Sequence, residues 1–227
     1  MTEKSRAREA EAGVTSPIAH EVQRPPRRPQ AQRSAETRSR LIDAAISCLH
    51  RLGYGATTVT EVAKAAGVSR GAMTHQFPAK ADLMVAVVRA VFRKDADYYR
   101  QSVAEASPLD WLRSLPWTTW GAVSQPSGIA VMEIMLASRS DPELADRLRE
   151  MQTKIDAESH AWIVERHRAA GLDDRPDGEA VHRVFVAAAR GLALEALFMR
   201  NHDEVQASIN VLAEVLQRLY PALEQKS

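Results

Sequence analysis

Residues 67–77 read GVSRGAMTHQF and follow directly on the alanine-rich segment Val62-Ala63-Lys64-Ala65-Ala66. Gly67 suits the left-handed conformation that closes a helix, and Ser69 suits the N-cap of the next one. Only Val68, between them, needs burial. Eight residues upstream of Ala66, Thr58-Val59-Thr60-Glu61 has the capping-box form, in which a hydroxyl and a carboxylate three positions on satisfy free N–H groups at a helix start. The segment therefore predicts a helix with Val59, Val62, Ala63 and Ala66 inward, a tight turn, and a second helix over 70–76. That is the layout of a helix-turn-helix.

Working outward, Ile42, Ala45, Ile46 and Leu49 recur at helical spacing, so a first helix is expected from about Glu36 to Gly53. Residues 1 to about 34 end in Arg-Pro-Pro-Arg-Arg-Pro-Gln and are expected to form a mobile basic arm, because three prolines oppose a helix and little can be buried. After Phe77-Pro78 a long helix is expected from Lys80 to about Ala106. Its first half is apolar almost all round, as suits a helix buried between two layers and joining two domains. Beyond Pro108 every strong signal is helical: 111–120, 129–136, 142–170 stopped by Gly171, 179–200, and 203–220 stopped by Pro221. The expected architecture is all-α, with a basic arm (1–34), a three-helix DNA-binding domain (35–79) and a helical ligand-binding and dimerisation domain (80–227).

Bulk properties narrow the function. The chain has 227 residues, is 45% hydrophobic and carries a formal net charge of +1. Arg24, Arg27, Arg28, Arg33, Arg38 and Arg40 stand against the single acid Glu36 in that stretch, which favours an anionic partner. Cys48 is the only cysteine, so no intrachain disulfide forms, and it reads as a small core residue. No apolar run approaches the roughly 18 residues of a membrane span, and no apolar segment follows the first residues as in a secretory leader, so a cytoplasmic location is expected.

A helix as short as 70–76 buries too little to persist for stability alone, whereas a helix fits the major groove, where base edges differ. Met73 and Phe77 would face the core. Arg70, Gly71, Thr74, His75 and Gln76 would face DNA, with arginine suited to guanine. Lys80 and the first amides of the second and third helices would hold phosphates.

Residues 38 to about 88 resemble the TetR family of bacterial transcriptional regulators. The resemblance rests on Arg-Ser-Arg-Leu-Ile-Asp-Ala-Ala, Leu-Gly-Tyr-Gly-Ala-Thr-Thr-Val-Thr-Glu-Val-Ala-Lys-Ala-Ala-Gly-Val-Ser-Arg-Gly-Ala and Phe-Pro-Ala-Lys-Ala-Asp-Leu, in that order and spacing. It implies a homodimer on a palindromic double-stranded operator, usually a repressor, released by a small-molecule effector. By motif, it implies base contacts from Thr60, Arg70, Gly71 and Ala72, and phosphate contacts from Thr58, Ser69, His75, Gln76 and Lys80. Thr74 stands where the family usually has a backbone-touching tyrosine, so that contact is smaller here.

The C-terminal region offers Trp117, Trp120, Met132, Met135 and Trp162 as lining for an apolar effector pocket, with Glu133, His160 or His167 as orienting groups. The same residues at helical spacing also suit plain core. His160, His167 and His182 are spaced too widely for a shared ion without other ligands, so neither a metal nor a cofactor is expected. Glu195 is expected at a rim or paired with Arg190 or Arg200. Val205, Ile209, Leu212, Leu216 and Leu219, with Val181, Phe185, Ala188 and Leu192, form seams on the last two helices that suit a four-helix dimer interface or an intrachain core. Two other readings are an all-α enzyme, for which no nucleophile elbow, metal cluster or phosphate loop speaks, and a DNA-binding dimer without effector control.

Overall fold

The computed structural model describes residues 30–102, 106–172, 177–198 and 202–224, and among them there are helices and no strand. The elements in chain order are α1 (Gln30–Ala56), α2 (Val59–Ala65), α3 (Arg70–Gln76), α4 (Lys80–Ser102), α5 (Pro108–Val123), α6 (Pro126–Ala137), α7 (Pro142–Ala169), α8 (Gly178–Glu195) and α9 (His202–Leu219). Single 3₁₀ turns cover Ser138–Ser140 and Pro221–Glu224.

The first helix corrects the sequence reading. It begins at Gln30, inside the stretch expected to belong to the arm. Proline opposes helix only as far as Pro29; beyond it Gln32 Nε2 donates to Glu36 Oε1 (3.2 Å) and Thr37 Oγ1 donates to Arg33 O (2.8 Å), so the first turns carry their own support. Residues 1–29, with Arg24, Arg27 and Arg28, lie outside the described residues. At the other end Gly53 takes φ 74°, ψ 171° and kinks α1 before its last residues. Thr57 follows, fully buried, its hydroxyl donating to Gly53 O at 2.7 Å.

Leu41, Ala45, Cys48 and Leu49 of α1 are buried together with Val62, Met73 and Phe77, while Ile42 and Ile46 pack partly buried against them. Leu83, Met84 and Val87 of α4 are fully buried in the same cluster, which also takes in Ala130 and Ile134 of α6 and Leu144 and Met151 of α7. The apolar first half of α4 is thus sandwiched as its composition requires, and the core runs without a break from the helix-turn-helix into the C-terminal half. A second cluster joins Trp111, Leu112 and Leu115 of α5 to Phe185 of α8, Leu216 of α9 and Tyr220. A third joins Ile129 and Met132 of α6 to Ala193 of α8, with Trp120 packed against it.

The last two helices divide their seams between the two alternatives. Phe185, Val205, Ile209 and Leu216 are buried inside the chain, Val181, Ala188, Leu192 and Leu212 are half-buried, and Leu219 is exposed. The other large exposed apolar side chains of α8, α9 and the turn after α8 are Val184, Leu194, Leu197, Phe198, Val211 and Val215. A helix that is apolar on more than one face supports both contacts; the 3.6-residue repeat alone does not say which face turns inward.

Candidate nucleic-acid interface

The local chemistry of the helix-turn-helix follows its sequence closely. Thr58 Oγ1 accepts from Glu61 N at 3.1 Å and caps α2; Gly67 takes φ 64°; Ser69 Oγ accepts from Ala72 N at 3.1 Å and caps α3. Val68 is half-buried against the core, and its N–H donates to Ala63 O at 3.0 Å. These caps satisfy backbone donors that water or a partner would otherwise have to serve. They fix α3 with Met73 and Phe77 inward, at 1% and 2% exposure, while Arg70, Gly71, Thr74 and His75 are exposed and Ala72 is half-buried. Thr58, Thr60 and Ser69 are exposed alongside.

Four side chains in this region donate to partners that the sequence does not announce. Thr74 Oγ1 donates to Arg70 O at 3.0 Å, so its hydroxyl hydrogen is spent on its own helix. Gln76 is half-buried, and its Nε2 donates to Ser34 Oγ at 2.7 Å, while Arg38 Nη1 donates to Gln76 O at 3.3 Å with its guanidinium 4.4 Å from the Phe77 ring centroid. The first turns of α1 are thereby pinned to the end of α3. Lys80, at the start of α4, donates from Nζ to Tyr54 O at 2.8 Å and lies 3.8 Å from the centre of the Tyr54 ring. Partial burial lowers the Lys80 pKa, opposed by the nearby charge of Asp141.

Glu133 of α6 completes that joint. Its Oε2 accepts from Tyr54 N at 2.8 Å, and lies 3.4 Å from where a Cβ on Gly53 would stand. One carboxylate and one ammonium therefore hold the two backbone polar groups of Tyr54, tying the end of α1 to α6 and to α4. Glu133→Ala leaves the half-buried Tyr54 N–H without its acceptor and is expected to destabilise the fold by about 1.5–3 kcal/mol, as measured by urea unfolding. Glu133→Gln retains an acceptor oxygen and should lose less.

The residues suggested for an effector pocket do not converge. Trp120 and Met132 share one cluster, Trp162 packs edge-on against Trp111 in another with ring centroids 5.0 Å apart, and Trp117 and Met135 are among the exposed hydrophobic residues. His167 is buried: its Nδ1 lies 2.9 Å from Ile163 O and its Nε2 3.3 Å from the Tyr220 hydroxyl. The His160 side chain lies outside the described residues. Glu195 is exposed, as the rim reading expects. Among the described residues no group of three or more His, Cys, Asp or Glu side chains is placed to hold a metal.

The C-terminal half does enclose titratable groups. Burial raises the Asp95 carboxyl to about 6, opposed by Lys94 and Arg190, and raises the Tyr99 phenol to about 12. Asp95 and Arg190 also line a small void with Phe92, Val123 and Val131. Burial, with the charge of His167 next in importance, lowers His182 to about 4. Between pH 3.8 and 6 the folded chain holds the Asp95 proton that the unfolded chain releases, so this group lowers stability as pH rises. Between pH 6.5 and 4 the unfolded chain binds a proton at His182 that the folded chain refuses, so this group lowers stability as pH falls. The two slopes oppose each other over pH 4–6, each by up to about 1.4 kcal/mol per pH unit. Asp95→Asn is therefore expected to make stability rise more steeply with pH in that window, and His182→Gln to make it fall, relative to the unsubstituted protein; urea unfolding at several pH values reads both.

Comparison with known proteins agrees with this geometry. Residues 41–87 match the family described as bacterial regulatory proteins, tetR family, and residues 117–222 match the tetracyclin repressor-like C-terminal domain. The HTH-type transcriptional regulator CymR of Pseudomonas putida is 26% identical over 201 residues, 86% of this chain and 97% of its own. An uncharacterised HTH-type transcriptional regulator of Mycobacterium bovis is 33% identical over 136 residues, 59% of this chain and 69% of its own. Among solved structures, a TetR transcription regulator of Haloarcula marismortui superposes with a TM-score of 0.64 at 18% identity, over 81% of this chain and 98% of that one. A transcriptional regulator of Saccharomonospora viridis, solved in complex with choline, superposes at 0.63 and 17% identity, over 81% of this chain and 96% of that one. No helix among the described residues is long and apolar enough to cross a membrane. With a capped helix-turn-helix inside one matched segment and α6 to α9 inside the other, the chain belongs to the TetR family of bacterial transcriptional regulators and carries that family's DNA-binding helix-turn-helix.

Proposed function

We propose that this regulator is a cytoplasmic homodimeric repressor that binds a palindromic operator and is released when a small molecule enters its C-terminal half. The observation that carries the DNA-binding part is the division of α3 into a buried side, Met73 and Phe77, and an exposed side, Arg70, Gly71, Thr74 and His75. Thr60, Arg70, Gly71 and Ala72 meet base edges, and Thr58, Ser69, Thr74 and His75 meet phosphates. Thr74 acts through its methyl group and oxygen lone pairs, because its hydrogen is engaged with Arg70 O. Gln76 and Lys80 reach phosphate by exchanging their present partners, Ser34 and Tyr54, for it. Residues from Gln30 to about 79 form the DNA-binding domain, and those from 80 onward the sensing and dimerising one.

Arg70→Ala is expected to weaken operator binding by about 1–3 kcal/mol and to relax the preference at one position of each half-site, whereas Lys80→Ala weakens all sequences alike. Selection of binding sites from a random pool checks this: the same consensus from the Arg70 variant as from the unsubstituted protein removes Arg70 from base reading.

Release follows from the architecture of α4. Its first residue is tied to Tyr54 and its body is buried against α6 and α7, so a ligand that shifts the bundle also moves α3. Half-sites about 34 Å apart tolerate little change in the separation of two recognition helices. The required coupling is about 1–3 kcal/mol and is reciprocal, so operator DNA weakens ligand binding by the same factor. Titration of an effector with and without operator measures it, and equal affinities leave a DNA-binding dimer without effector control.

A further inference from the structure

Four elements meet where the helix-turn-helix joins the C-terminal half, and their polar groups converge on Tyr54. The kink at Gly53 turns the Tyr54 N–H out of α1, and Glu133 Oε2 of α6 accepts it at 2.8 Å. Tyr54 O accepts from Lys80 Nζ of α4 at 2.8 Å, and the Tyr54 ring lies 3.8 Å from the same ammonium. Asp141, the N-cap of α7, adds a negative charge that acts on both Lys80 and Tyr54. Tyr54, Lys80, Glu133 and Asp141 are all half-buried, so water and salt screen these charges less than on an open surface.

The frame of this joint is rigid. Asp141 is fixed by its own cap, Oδ1 accepting from Leu144 N at 3.0 Å. The first turn of α4 is held to α7 a second time through Asp82, which accepts from Ala79 N at 3.0 Å and pairs with Arg147. Lys80 thus opens α4 with its ammonium engaged inside the joint. A phosphate outside it draws the ammonium away from the Tyr54 ring, from Tyr54 O and from the field of Asp141, so the two sets of partners compete for one charge.

We propose that Glu133 and Asp141 are positioning residues for DNA binding: Glu133 fixes Tyr54 beside Lys80, Asp141 attracts the ammonium, and together they hold Lys80 in the joint against the pull of phosphate. Resting on the reading of Lys80 as a phosphate contact, this latch gives α6 and α7 a direct hold on a DNA-contacting side chain, separate from any shift of the body of α4. A rearrangement that parts Glu133 or Asp141 from the joint releases Lys80 to DNA, and one that tightens the joint withdraws it. A molecule that binds one of these arrangements better than the other shifts the population between them.

The test measures binding of the full chain to a short fluorescent duplex of mixed sequence, by anisotropy at several salt concentrations. Asp141→Asn keeps an oxygen to cap α7 and removes only the charge, and Glu133→Gln keeps an acceptor for Tyr54 N but weakens that bond. Each variant, checked for folding by circular dichroism, is expected to bind the duplex roughly twofold to fivefold more tightly than the unsubstituted protein. In a Lys80→Met background that gain is expected to be lost, because the hold has no ammonium to act on. Lys80→Met alone is expected to weaken binding and to lower the slope of log K against log salt by about 0.9 per bound chain. If Lys80→Met changes neither affinity nor slope, Lys80 touches no phosphate, and that reading and the latch are both overturned. If it changes them, but either acid variant binds no more tightly, or gains as much without Lys80 as with it, the latch alone is overturned.

Discussion

Phe77→Ala is expected to destabilise the protein by about 3–5 kcal/mol, the usual effect of emptying a buried phenylalanine site. Phe77 is 2% exposed and closes α3, its N–H donating to Met73 O at 2.8 Å. Its ring also carries the Arg38 guanidinium, so the substitution opens a cavity and removes the platform that pins α1 to the end of α3. Against a typical total of 5–15 kcal/mol this is a large fraction, and it lowers the thermal midpoint by roughly 6–20 °C for a chain of this size. The melt should remain a single transition, because the cluster containing Phe77 also contains Leu83 of α4, Ala130 of α6, and Leu144 and Met151 of α7. Thr74→Ala, on the exposed side of the same helix, is expected to change stability by less than about 0.5 kcal/mol. Circular dichroism during heating reads both. A Phe77 variant that melts with the unsubstituted protein, or that loses α1–α3 in a separate early step, would contradict a core shared by the two halves.

The features that the sequence made legible are those whose physics is local. The Thr58 and Ser69 caps and the left-handed Gly67 involve residues three or four apart, and their side chains leave little choice of conformation. The order and approximate bounds of α4 to α9 followed from periodicity, proline and Gly171. The joint at Tyr54 was not legible. Glu133 is 79 residues from its partner and Lys80 26 residues, and neither position carries a pattern that distinguishes a tether from a ligand-binding or phosphate-binding group. The Ser34–Gln76 bond spans 42 residues and is hidden for the same reason. Proline opposes a helix only where prolines stand, which is why α1 starts at Gln30 and not near Glu36. The aromatic and methionine residues of the C-terminal half were ambiguous in kind: Trp120 and Met132 are core neighbours, whereas Trp117 and Met135 face outward.

Introducing charge on the outward face of α8 and α9 is expected to separate the proposed dimer and to lower operator affinity by roughly a hundredfold to ten-thousandfold, because the second half-site no longer benefits from the first. On α8 and the turn after it, Val184, Ala187, Gly191, Leu194 and Phe198 follow one another at steps of three and four residues, and all are exposed. On α9, Val211, Val215 and Leu219 follow at steps of four and are exposed too. Phe198 is 86% exposed and Val184 63%, an exposure that a second copy of the same face would relieve. Leu194→Glu combined with Val211→Glu places four carboxylates in a two-fold symmetric apolar contact, where each must be desolvated without a partner. Both positions lie outside the intrachain core, so the monomer should stay folded. The corresponding change at Ile209 or Leu216, each 1% exposed, would instead unfold the bundle. Sedimentation equilibrium and binding to full and half operators read the outcome together. The expected result is a folded monomer with unchanged half-site affinity and the loss stated above on the full site. A variant that remains a dimer would show that the subunits meet elsewhere, and a monomer with undiminished affinity for the full operator would show that the two recognition helices act independently.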